Sequence, residues 1–159
     1  MKISILCVGK IKEKFYRDAI DEYTKRLSRY CKTEIVEVTD EKTPDEASEK
    51  EEMLIKEKEG ERLLGKIKED AYVISLAIEG KKMSSTQMAS TIENLSLNGK
   101  SHIVFIIGGS LGLSRKVLDR SDLLLSFSDM TFPHQLMRVI LLEQIYRSYR
   151  IINGEPYHK

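Results

Sequence analysis

The first candidate for chemistry is Gly108-Gly109-Ser110-Leu111-Gly112, which directly follows the β-branched run His102–Ile107. Glycines at the C-terminal edge of a buried strand let a ligand approach the backbone, and open α/β sheets bind their ligands at that edge. The same glycines also serve a plain turn, and residue types alone leave both roles open. The cluster is not G-x-G-x-x-G and lies late in the chain, which disfavours a dinucleotide site. Asn98-Gly99-Lys100-Ser101 contains Gly-Lys-Ser, but Asn94 stands where a P-loop needs its first glycine. The triplet also precedes a strand instead of opening a helix, so no phosphate cradle forms. His102, His134 and His158 are scattered, without His-x-x-x-His spacing or cysteine partners, and give no metal site. No G-x-S-x-G appears, so nucleophile-elbow hydrolysis has no support, and no acidic pair stands out from the charged background.

These residues need elements to position them, and the chain alternates strand and helix throughout. Lys2–Val8, Glu34–Val38, Tyr72–Ile78, His102–Ile107 and Leu123–Phe127 read as strands. Lys12–Arg29 reads as a helix, and Thr43-Pro44-Asp45 signals the start of a second one running to about Lys68. Glu79–Met83 reads as a glycine-containing loop, and Ser84-Ser85 as the cap of a helix ending near Asn98. A short helix spans about Ser114–Arg120, and Pro133 opens a long one that Asn153-Gly154 stops near Ile152. Five strands alternating with five helices predict an α/β fold with a mostly parallel sheet and helices on both faces, in a single domain over 1–159. The last helix is apolar on most sides, from Leu136 to Ile152. Such a helix is buried on two sides, either as the centre of a monomer or against a second subunit.

Composition narrows the class. The 159 residues are 41% hydrophobic and 32% charged, a globular balance without a disorder signature. No apolar run approaches the length that spans a bilayer. The N-terminal MKISILCVGK leads into a charged helix without a cleavage site, so a strand and a cytoplasmic protein are expected. Cys7 and Cys31 form no framework and read as reduced thiols, with Cys7 in the core and Cys31 in a turn-like segment. Net charge is +1 but uneven: residues 1–33 carry nine Lys/Arg against four Asp/Glu, and residues 34–70 seven against fourteen. A basic end beside an acidic middle can steer a polyanion onto one face, although uneven solvated helices give the same count.

Several phrases, taken in order, carry a resemblance. They are Val8-Gly9-Lys10, Ile106-Ile107-Gly108-Gly109-Ser110-Leu111-Gly112, Leu125-Ser126-Phe127-Ser128-Asp129-Met130-Thr131-Phe132-Pro133-His134, then Arg138, Leu142-Glu143-Gln144-Ile145-Tyr146-Arg147, and Pro156-Tyr157-His158-Lys159. Together they resemble the RlmH family, the SPOUT-class ribosomal large-subunit pseudouridine N3-methyltransferases, over essentially the full chain. The resemblance implies a C-terminal trefoil knot within about 71–159, an exception to the rule that chains do not thread loops. It implies a homodimer that holds S-adenosylmethionine, needs no metal or membrane, and methylates 23S ribosomal RNA on the assembled ribosome. Carried over by position, the cofactor contacts are Leu76, Gly108, Phe127, Ser128, Asp129, Met130, Thr131 and Phe132. The tail completes the active site, with His158, Tyr157 and Arg138 as catalytic candidates and Lys159 as an RNA contact. The competing expectation is a non-catalytic ribosome- or RNA-binding module with the same fold.

Overall fold

The computed structural model describes residues 1–159. In chain order the elements are β1 (Lys2–Val8), α1 (Lys14–Leu27), β2 (Lys32–Val38), α2 (Glu49–Leu64), β3 (Tyr72–Lys82), α3 (Ser85–Leu97), β4 (His102–Ile107), α4 (Arg115–Arg120), β5 (Leu123–Ser126) and α5 (His134–Ile152). The strands form one sheet in the order β2-β1-β4-β3-β5, and every pairing is parallel. The central strands β1 and β4 are buried along almost their whole length. That is why they read as continuous apolar runs instead of alternating ones.

The strand side chains divide the core in two. Ile3, Ile5, Ile103, Phe105 and Leu125 face α1, α3 and α5, where Leu27, Ile92, Leu141, Leu142 and Ile145 meet them. Leu6, Val8, Val73, Val104 and Ile106 face Leu63 of α2 and Val117 of α4. Each fully buried side chain of this size contributes about 1.5–3 kcal/mol of transfer free energy. Helix α5 lies between α1 and α3, so most of its apolar residues are covered within one chain. Ile145 is fully buried and belongs to the core.

Two local expectations are corrected. Helix α2 starts at Ser48, not at Thr43-Pro44-Asp45. The Ser48 hydroxyl accepts from the Glu51 amide and the Glu51 carboxylate accepts from the Ser48 amide, a reciprocal cap that decides the start. The helix also ends at Leu64, short of Lys68, with Gly65 as its cap. Cys31 lies in the turn between α1 and β2, as its sequence context indicates, and is buried against the core.

The second correction shapes the site. β3 does not stop at Ile78; it continues to Lys82, with a register shift that sets both Leu76 and Lys81 against Leu125 of β5. The segment 77–80 therefore arches beside β5. At Gly80, a Cβ would lie 2.7 Å from the carbonyl carbon of Leu124 and 2.8 Å from the amide nitrogen of Leu125. No side chain fits between these two backbones, so the glycine is needed for the close approach.

Candidate functional site

The order β4-β3-β5 makes three strand ends neighbours. The C-terminal edge of a parallel sheet leaves the last strand groups without ladder partners, which is why ligands gather there. β4 ends at Ile107 and leads into the loop 108–112, which closes on itself: Gly109 and Gly112 form an isolated bridge, and the Gly112 amide donates to the Gly109 carbonyl at 3.1 Å. β3 contributes Leu76, paired with Leu125. β5 leads into 127–132, where the Ser126 hydroxyl donates to the Ser128 carbonyl and the Met130 amide donates to the Ser128 hydroxyl. Lys82 ties this segment down through an ion pair with Asp129 at 2.6 Å. Leu76, Gly108 and Phe127–Phe132 are thus brought to one edge of the sheet.

A cleft of about 270 Å³ opens beside this edge, between the start of α3 and the middle of α5. Met83, Met88, Leu125, Phe127, Phe132 and Ile140 form its apolar walls, and Ser84, Ser85 and Gln144 its polar rim. The Ser85 hydroxyl donates to the Gln144 amide oxygen at 2.7 Å across the rim. Phe132 and Met130 are exposed apolar side chains at this edge. Of the expected contacts, Phe127 and Phe132 line the cleft directly. Leu76, Gly108 and the residues 128–131 stand at the same edge outside its walls. The α3 and α5 residues of the cleft were not anticipated, because no local pattern says which helix faces will oppose each other.

Gly108 has a different reason for being glycine than ligand access. Its Cβ would lie 2.9 Å from Leu113 Cδ2 and 3.0 Å from the Gly112 carbonyl carbon, both in its own loop. Beneath the same loop Glu59 of α2 is buried, its carboxylate accepting the Glu41 amide at 3.0 Å and lying 3.0 Å from where a Gly109 Cβ would sit. Burial raises the Glu59 carboxyl above its ordinary value. Sequence reading missed this residue, since one glutamate in a helix full of them gives no signal.

Arg138 is found in the core. It is 1% exposed, pairs with Glu37 at 2.6 Å, and donates to the carbonyls of Val8 and Gly9 at 3.2 and 2.8 Å. One turn earlier, His134 has a buried Nδ1 without a partner, and burial together with the Arg138 charge lowers its imidazole below the ordinary value.

The tail is docked against α5. The Tyr157 hydroxyl donates to Glu143 at 3.0 Å, its ring meets Tyr146 edge-on, and the Arg147 guanidinium lies 4.7 Å from its centroid. Arg150 holds Glu155 at 2.8 Å and the Pro156 carbonyl at 2.9 Å. Burial and the Glu143 contact both raise the Tyr157 phenol, which stays protonated. Arg147 lies 3.1 Å from Nδ1 of His158. A guanidinium only donates, so in this contact Nδ1 is the acceptor and the ring hydrogen is left to Nε2. Glu143 also accepts from Gln144 at 2.9 Å. The polar chain Tyr157–Glu143–Gln144–Ser85 therefore crosses α5 from the tail to the cleft.

An all-parallel sheet with polar loops and an apolar cleft at one edge places the chain among α/β proteins, a class that binds its ligands at the strand ends. No group of three or more His, Cys, Asp or Glu is placed to hold an ion. No helix is long and apolar enough to cross a membrane. Residues 1–158 match the family described as a predicted SPOUT methyltransferase, and the chain belongs to that family of methyl-donor-using enzymes. Among individual proteins it is similar to three named ribosomal RNA large subunit methyltransferase H. These are from Clostridium novyi (64% identical), Bifidobacterium adolescentis (65%) and Clostridioides difficile (63%), each over 159 residues and 100% of both chains. The resemblance read from the sequence is thereby borne out.

Proposed function

We propose that the chain, acting as one domain over 1–159, is an S-adenosylmethionine-dependent methyltransferase for N3 of a pseudouridine in 23S ribosomal RNA. It works as a cytoplasmic homodimer on the assembled ribosome, with its C-terminal part knotted. The observation that carries this reading is the meeting of Leu76, Gly108 and Phe127–Phe132 at one sheet edge beside the 270 Å³ cleft. The full-length similarity to proteins named as large-subunit rRNA methyltransferases supports the substrate class.

The cleft suits the cofactor chemically. Aromatic, methionine and leucine walls accept a heteroaromatic ring, and the Ser84, Ser85 and Gln144 rim offers donors and acceptors to its polar groups. Small-molecule sites begin at about 300 Å³, so the cleft takes part of the cofactor and the segment 127–132 with Gly108 takes the rest. S-adenosylmethionine supplies a methyl group already activated on a sulfonium. The protein's task is then alignment, which is worth up to roughly 7–11 kcal/mol in well-oriented systems.

The acceptor imide must lose its N3 proton as the methyl group arrives, leaving charge on the flanking carbonyl oxygens. In the docked tail His158 presents Nε2–H, a donor suited to such an oxygen. It becomes a proton acceptor at Nδ1 only when Arg147 turns away, for instance toward RNA phosphate. Tyr157, neutral and braced by Glu143, packs against the base, and Lys159 meets phosphate. Arg138 acts at one remove, as a positioning residue that pins the C-terminal end of β1. The outward side of α5 around Leu136 forms the dimer contact, which brings one subunit's tail to its partner's cleft.

Isothermal calorimetry tests the site. The wild-type protein binds S-adenosylmethionine and its demethylated product without added metal, and Gly108→Val loses both because the loop 108–113 cannot close around a side chain. Wild-type affinity in a folded Gly108→Val protein removes this loop from the site. No affinity in the wild type leaves the non-catalytic RNA-binding module as the reading.

A further inference from the structure

On the other flank of α5, away from the apolar cleft, the C-terminal ends of α1 and α5 enclose a second cleft of about 310 Å³. Its lining has four cations, Lys25, Arg26, Arg29 and Arg150, against one anion, Glu22. Cations in the last turn of a helix and i,i+4 ion pairs are ordinary surface features, and Arg26–Glu22 at 2.8 Å is one such pair. Two observations go beyond that. First, the cations line a concavity rather than a convex helix surface, and Lys25 has no carboxylate partner. Second, the arginines are already ordered on tyrosine rings. The Arg26 guanidinium lies 5.2 Å from the Tyr23 centroid and 5.7 Å from that of Tyr146, and Arg29 lies 5.6 Å from Tyr30. A guanidinium held on an aromatic face presents its N–H fork in a fixed plane, which matches phosphate oxygens. Arg26 shares its Nε with Glu22 and Arg29 one Nη with Glu155 at 3.5 Å, which leaves the other N–H groups to a ligand.

The cleft is also continuous with the tail. Tyr146, one of its walls, meets the Tyr157 ring at 5.0 Å between centroids, and Arg150 bonds both Tyr30 and the Pro156 carbonyl. A strand of RNA whose base lies at Tyr157 therefore has its neighbouring phosphates within reach of this basic wall. The tyrosine faces are occupied by arginines, so the cleft offers phosphate contacts and no open stacking platform. Such contacts fix register and orientation without reading sequence.

We propose that the cleft between the ends of α1 and α5 grips the RNA phosphate backbone flanking the target base, with Lys25, which has no carboxylate partner, and Arg29, whose one ion pair is a 3.5 Å contact with Glu155, as its contacts. The proposal rests on the assignment of the tail to the acceptor base. Lys25 and Arg29 are both exposed and neither belongs to the cofactor cleft.

The test uses the full-length protein, large ribosomal subunits lacking the modification, and two readouts: equilibrium binding to the subunits and methyl incorporation. Lys25→Glu/Arg29→Glu weakens subunit binding at least about tenfold near physiological salt. It also makes the dependence of log affinity on log salt shallower by about 1 for each phosphate no longer neutralised. S-adenosylmethionine affinity, subunit mass and melting temperature stay at wild-type values. Lys116→Glu, on α4 across the sheet, changes neither affinity nor slope. An unchanged affinity and slope in the double variant overturns the proposal. So does an equal loss from Lys116→Glu, which reduces the effect to net charge, or an altered mass, which makes the face a protein contact. Wild-type protein that binds subunits but transfers no methyl group defeats the methyltransferase reading instead, while the binding arm still decides this one.

Discussion

Replacing Arg138 with methionine separates a structural arginine from a catalytic one. The guanidinium is 1% exposed and bonds Glu37 and the carbonyls of Val8 and Gly9. Breaking a buried ion pair by removing one partner costs about 3–5 kcal/mol, because the other charge is left without compensation. Glu37 is 36% exposed, so water offsets part of that loss and about 2–3 kcal/mol is appropriate for the pair. The two carbonyls lose their donor, at about 1 kcal/mol or more each when buried. Methionine refills most of the volume and returns some apolar contact. The net expectation is about 3–4 kcal/mol. In a domain of this size each kcal/mol moves the melting temperature by about 2–4 °C, so calorimetry should show a fall of about 6–16 °C. Glu37→Gln in the Arg138→Met background should then cost almost nothing further, since the charge it would have stranded is gone. A variant that melts within about 2 °C of wild type, binds S-adenosylmethionine, and yet transfers no methyl group refutes the structural assignment and returns Arg138 to the reacting atoms.

Three further outcomes follow from the geometry. Gly80→Ala drives a methyl group into the Leu124 backbone, and overpacking of that kind costs about 1–3 kcal/mol or more; chemical denaturation showing wild-type stability contradicts the close approach of 77–80 to β5. Deleting Tyr157, His158 and Lys159 removes the Glu143 and Tyr146 contacts and lowers stability slightly, leaves dimer mass and donor affinity intact, and abolishes methylation of ribosomes. Full activity of the truncated homodimer ends the catalytic role of the tail, and mixing it with cofactor-site-dead full-length subunits reports whether tails act across the dimer. His134, facing Arg138, Asp40 and Glu13, has a lowered pKa in the fold, so the unfolded chain takes up its proton first as pH falls. Its contribution is fully present above about pH 6.5 and declines as pH falls toward the lower folded value. Denaturation between about pH 7 and 5.5 should therefore show a shallower pH slope for His134→Gln, and an equal slope excludes the effect.

Much of the fold was legible because burial leaves a mark on composition. β1 and β4 were bounded correctly from their continuous apolar runs, and Ser84, Pro133 and Asn153 marked helix ends by their own side-chain or backbone chemistry. The start of α2 was not, since Thr43-Pro44-Asp45 and Ser48-x-x-Glu51 are both start signals and only the reciprocal cap at Ser48 forms. The extension of β3 to Lys82 depends on β5 lying beside it, a pairing absent from any local pattern. The site divides the same way. The strand-end rule pointed to the glycines after β4 and the family resemblance supplied Leu76 and Phe127–Phe132, whereas the cleft walls from α3 and α5, the Glu59 prop and the Arg138–Glu37 pair join residues far apart in sequence. The docking contacts of the tail were not legible in the sequence: Gly154 and Pro156 end the helix, but Arg147, Arg150 and Tyr146 on the preceding turns recapture the chain.

The central claim is tested most directly by incubating the purified protein with methyl-labelled S-adenosylmethionine and 70S ribosomes from cells that lack it. The 23S RNA is then digested and its nucleosides identified by mass spectrometry. The account predicts a single labelled nucleoside, N3-methylpseudouridine, formed without added metal and absent when Tyr157–Lys159 are deleted. A labelled nucleoside other than a pseudouridine contradicts the account, as does unlabelled RNA from a protein that binds both the donor and the ribosome.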